Sequence, residues 1–102
     1  MLDIMAIRYP GDDHLQTFVD THKHVILNFA EPPDAADWER IEHFFFKELK
    51  KSKIMAEPVA HYSWCEKGDK HKTYNWLMER CEHYLEEKRV DENQRHMHLK
   101  IH

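Results

Sequence analysis

Apolar and polar positions along this chain change period several times, and each change predicts an element. Between residues 34 and 52 the apolar side chains recur at helical spacing, with Trp38, Ile41, Phe45 and Leu49 on one face. Asp34 is a natural N-cap with Asp37 three residues on, acids fill the first turns, and Lys47, Lys50 and Lys51 gather at the far end. A second long helix is expected over about 70–90, with Asp69 as its cap and Tyr74, Leu77, Met78, Cys81 and Leu85 as its stripe. A shorter helix follows Asp12, where Leu15, Phe18 and Val19 stand at i, i+3 and i+4.

The remaining segments read as strands. Residues 2–9 alternate imperfectly and end on the turn signal Tyr9-Pro10-Gly11. His24 to Phe29 is β-branched and apolar on both faces, which suits a covered central strand. From Ile54 to Cys65, Ala60, Tyr62 and Trp64 alternate with Val59, His61 and Ser63, and Lys67-Gly68-Asp69 turns the chain. Val90 to Asn93 reads as a loop, and the last eight residues alternate again, with Met97, Leu99 and Ile101 opposite His96, His98, Lys100 and His102. The expected fold is one α+β domain over residues 1–102, in the order β-α-β-α-β-α-β, with two long helices on one face of a four-stranded mixed sheet.

Composition narrows the function. With 41% hydrophobic and 12% aromatic residues the chain can build a core, and a net charge of −4 argues against a general nucleic-acid binder, since such binding rests on Lys and Arg neutralising phosphates. Ten histidines would carry that charge from −4 to +6 if all were protonated, so its sign should change in mildly acidic solution. Two cysteines, no leader and no apolar span point to a cytoplasmic address. With only Gly11 and Gly68 no glycine-rich phosphate loop can be built, and neither Ser52 nor Ser63 carries a catalytic motif.

Some residues exceed what the fold needs. Phe44 and Phe46 lie about 100° to either side of Phe45 on the helical wheel, so they flank the core or face a partner together with His43 and Lys50. Trp76 lies about 160° from the centre of its helix's stripe, beside Arg80, His83 and Glu87, and Trp and Arg are enriched at interface hot spots. The leading expectation is therefore a small regulatory protein that covers or inhibits a partner protein, or associates with itself as a homodimer, through Trp76, Arg80, His83, Phe46, His43 and Lys50. Of the three tryptophans, Trp76 is expected to be the exposed one.

The alternative class uses histidine. His22-Lys23-His24 and His96-Met97-His98 both enter expected strands, where period-two alternation sets the imidazoles of each pair on one side to offer nitrogens to a transition metal. No cysteine cluster with metal-site spacing joins them, since Cys65 and Cys81 lie too far apart for a clamp and His61-x₃-Cys65 is a lone pair. Each H-x-H pair runs on into hydrophobic residues and so resembles the H-x-(Ser/Thr)-hydrophobic motifs of the two-histidine phosphoesterases, over about 12 of the 102 residues. Both pairs carry His at the third position, where that family has Ser or Thr. The resemblance implies phosphodiester cleavage with imidazole acid and base.

Overall fold

The computed structural model describes the backbone of residues 4–101 and the side chains of residues 4–95. Four α-helices make the fold: α1 (Leu15–Leu27), α2 (Ala35–Leu49), α3 (Ala56–Trp64) and α4 (Tyr74–Ile101), preceded by 3₁₀ turns at Ile4–Ala6 and Asp12–His14. No strand occurs among the described residues, so the α+β expectation is corrected to an all-helical one.

Each misassigned strand has a physical reason. The His24–Phe29 run closes α1, extending the stripe Leu15, Phe18, Val19, His22 and Val25, all buried, while Leu27 is 83% exposed. A short apolar run fits a strand and a buried helical turn equally well, and here the helical register upstream decides. In the 54–65 segment, Met55, Val59 and Tyr62 are the buried positions, at i, i+4 and i+7, so the period is helical and the two-residue alternation incidental. Pro58 falls in the first turn of α3, where the missing N–H removes no intrahelical bond. Between Tyr74 and Ile101 no Gly or Pro interrupts the chain, so α4 runs through the expected loop at 90–93 and the expected strand at 95–102, as far as Ile101. Residues 4–6 of the first expected strand form a 3₁₀ turn; residues 2, 3 and 102 lie outside the described residues.

The 34–52 expectation corresponds to α2. Asp34 accepts from Asp37 N at 2.8 Å while the Asp37 carboxylate accepts from Asp34 N at 3.1 Å, a complete capping box. At the start of α4 the cap is Thr73 and not Asp69: the Thr73 hydroxyl accepts from Trp76 N at 3.1 Å, while Asp69 accepts from His71 N at 2.8 Å in the preceding turn.

The first half of α4 is the centrepiece, packed against α1, α2 and α3. Phe18, Ile41, Phe45, Leu49, Met55, Leu77 and Cys81 are fully buried around it. Phe18 and Phe45 stack at 5.2 Å, and Tyr74 meets Phe45 edge-on at the same separation. Phe44 and Phe46 are half-buried at the margins, so α2 presents a wide apolar face.

A polar hub fastens the N-terminal segment. Asp12 accepts from Ser52 Oγ at 2.6 Å, from Lys53 N at 3.2 Å and from the Tyr9 hydroxyl. Buried Glu48 accepts from Tyr9 N at 2.8 Å and from Lys51 Nζ at 2.9 Å. The Ser52 and Tyr9 donors hold the Asp12 carboxyl below its ordinary range. Burial works to raise Glu48, but Lys51 and the Tyr9 N–H outweigh it and hold that carboxyl low as well. Among the described residues, no helix is long and apolar enough to cross a membrane.

Candidate metal centre

The sharpest chemical constellation lies where α3 ends and α4 begins. His61 occupies the last turn of α3 and Cys65 its C-cap, whose N–H reaches back to the carbonyls of His61 and Tyr62. The chain reverses through Gly68, at φ 97°, a left-handed conformation that a side chain would strain. Asp69 N donates to Glu66 O, Lys72 N donates to Asp69 O, and Lys72 Nζ donates to Tyr62 O at 2.9 Å while standing 4.2 Å from the Tyr62 ring centroid. These contacts clamp the loop onto α3 and deliver His71 to His61, with His61 Nε2 and His71 Nδ1 2.9 Å apart.

One ring nitrogen from each of His61 and His71 and the Cys65 sulfur all lie within 4.8 Å of one another. Two imidazoles and a thiolate are borderline-soft donors suited to zinc, cobalt, nickel or copper. Zinc bonds of about 2.0–2.3 Å put tetrahedral donors roughly 3.3–3.7 Å apart. The observed separations, 2.9 Å between the two ring nitrogens and at most 4.8 Å among the three donors, bracket that spacing. His61 is exposed, whereas Cys65 and His71 are half-buried. Trp76 backs both rings: its indole stacks on His71 at 5.2 Å and 21°, and meets His61 at 5.1 Å and 35°. Arg80 lies over the same indole at 5.7 Å.

The histidines singled out by their H-x-H spacing are arranged otherwise. His22 and His24 are on α1, where residues two apart point about 200° away from each other. His22 is fully buried between Phe18 and Phe45, and neither ring nitrogen has a hydrogen-bond partner. His24 is exposed beside Asn28. The backbone of residues 96 and 98 continues α4, so strand alternation does not align them either; their side chains lie outside the described ones.

The six residues expected to face a partner are also distributed differently. Trp76 is half-buried and engaged by His61, His71 and Arg80, so it is not the open tryptophan expected. Trp64 takes that place at 87% exposure. Phe46 rests on Tyr62 at 4.6 Å with Lys50 5.2 Å from its ring centroid, His43 is exposed against Phe44, and His83 pairs with Glu87 at 3.0 Å. Sequence reasoning set His61 and Cys65 aside as a lone pair and missed His71. The available signal was the Gly68-Asp69 turn, which folds the next histidine back.

No protein-family model matches this chain, and no curated protein or solved structure matches it either.

Proposed function

We propose that this is a small helical metal-binding protein whose centre is His61, Cys65 and His71, with zinc as the ion the donor set favours. The convergence of two imidazole nitrogens and a thiol within 4.8 Å, where the end of α3 meets a loop held by hydrogen bonds to it, carries the reading. An ion held there would staple the end of α3 to the start of α4 and add its binding energy to the fold. Untagged protein, purified without a metal column and loaded with Co²⁺, should bind one equivalent and show thiolate-to-cobalt charge transfer. Cys65→Ser removes that absorption, and His71→Ala weakens binding at least tenfold. A Co²⁺ spectrum indifferent to Cys65→Ser would overturn the assignment.

A second reading, association with another protein or with a second copy, is favoured by Trp64, which stands 87% exposed next to Cys65. Sedimentation of Trp64→Ala against the unaltered protein tests the self-association arm. Identical monomeric behaviour of the two at high concentration removes that arm.

A further inference from the structure

We infer that the ion held by His61, Cys65 and His71 keeps one coordination position for an exchangeable small monoanion. This rests on the metal-binding reading and specifies what the site would take. Among the described residues, no fourth His, Cys, Asp or Glu joins the group.

Several oxygens close in sequence already accept hydrogen bonds within the protein. The His61 carbonyl accepts from Cys65 N, and the Tyr62 carbonyl from Cys65 N and Lys72 Nζ. The Asp69 carboxylate accepts from His71 N, and the Glu66 carbonyl from Asp69 N. On one side the indole of Trp76 covers both imidazoles and offers no lone pair to an ion. His61 is exposed, so the centre has a solvent-facing side through which a fourth ligand enters.

Three protein donors with a fourth, external ligand is the arrangement of catalytic and ligand-binding zinc centres, whereas purely structural zinc is closed by four protein donors. Charge selects the ligand class. A divalent ion with one thiolate and two neutral imidazoles leaves a net charge of +1, which a monoanion neutralises. Arg80, 5.7 Å from the Trp76 ring centroid, adds positive potential, and its Nε is buried with no hydrogen-bond partner in the protein. Hydroxide, a carboxylate or a halide-like anion therefore fits.

The experiment uses the full chain loaded with one equivalent of Co²⁺, titrated with azide while the visible d–d bands are followed. A saturable shift with isosbestic points, at one azide per cobalt and with cobalt retained after desalting, is the expected result. A Co²⁺ spectrum that depends on Cys65 but does not respond to azide overturns this inference and leaves the metal reading standing, because the fourth position is then closed by the chain. A Co²⁺ spectrum that does not depend on Cys65 overturns both.

Discussion

His22 should make this protein measurably acid-sensitive above the range where carboxylates titrate. Its imidazole is fully buried, edge-on to Phe18 and Phe45 at 4.8 Å each, with both nitrogens unpartnered. Burial lowers its pKa from 6.5 to about 4, and the Glu48 carboxylate offsets only part of that. Because the folded pKa is depressed, the unfolded chain binds the proton first as pH falls. The stabilisation is complete above pH 6.5, declines below it, and is fully lost only below about pH 4. The whole shift is worth about 3 kcal/mol, of which about 2 kcal/mol is gone by pH ~5. Asp12 and Glu48 sit below their ordinary values, so their contributions fade at lower pH and leave this window to His22. Urea unfolding at about pH 7.5 and about pH 5 should then differ by ~1.5 M in midpoint for a chain of this size. In His22→Leu the difference shrinks to a small fraction of that. Stability near pH 7.5 is held or raised, because two buried unpartnered nitrogens leave with the ring. Equal acid loss in the two proteins, or an NMR titration placing His22 near 6.5, would refute the reasoning.

Other outcomes follow from the same packing. Asp12→Ala, which removes the acceptor for Ser52, Tyr9 and Lys53, should cost about 2–3 kcal/mol in chemical denaturation; a loss under ~0.5 kcal/mol contradicts the hub. Phe45→Ala leaves a cavity against Phe18, His22 and Tyr74 and should cost about 3–5 kcal/mol. Iodide should quench Trp64 most strongly, so Trp64→Phe removes most of the quenchable fluorescence, and a quenchable fraction that persists unchanged opposes this placement. Cys81 is fully buried and its thiol is pushed up to about 12, so a disulfide reagent should modify Cys65 in the native protein and reach Cys81 only on unfolding.

Local chemistry was legible in the sequence where it had one dominant signal. The Asp34-Asp37 box, the acid-to-base gradient and the Trp38-Ile41-Phe45-Leu49 spacing all support one helix, and α2 has that cap and those buried positions at Ile41, Phe45 and Leu49. Strand assignments failed where the signal was a run of six to twelve residues containing Val, Ile, Tyr or Trp. There, β propensity reports fit to a half-buried surface and not a backbone preference, and α1 and α3 supply such a surface. The wheel sets Trp76 off its helix's stripe, yet a wheel shows one helix alone, and Trp76 is half-buried. It cannot show that the loop before α4 lays His71 over the indole. The same blindness hid the convergence of His71 with His61 and Cys65, since His71 lies ten residues from His61 and meets it only through the Gly68 turn.

The second half of α4 has a consequence for how the molecule breathes. Residues 86–95 are all exposed, so this stretch holds its helical form by its own backbone hydrogen bonds and surface pairs such as Arg89 with Glu86. Residues 74–81, with Tyr74, Leu77, Met78 and Cys81 buried, are held by the whole core. Amide hydrogen exchange along this single helix should therefore fall into two regimes. Protons around Leu77 to Cys81 should exchange only when the entire protein unfolds, and those from Glu86 to Arg95 through local opening, so one continuous helix would contain a boundary between global and local stability.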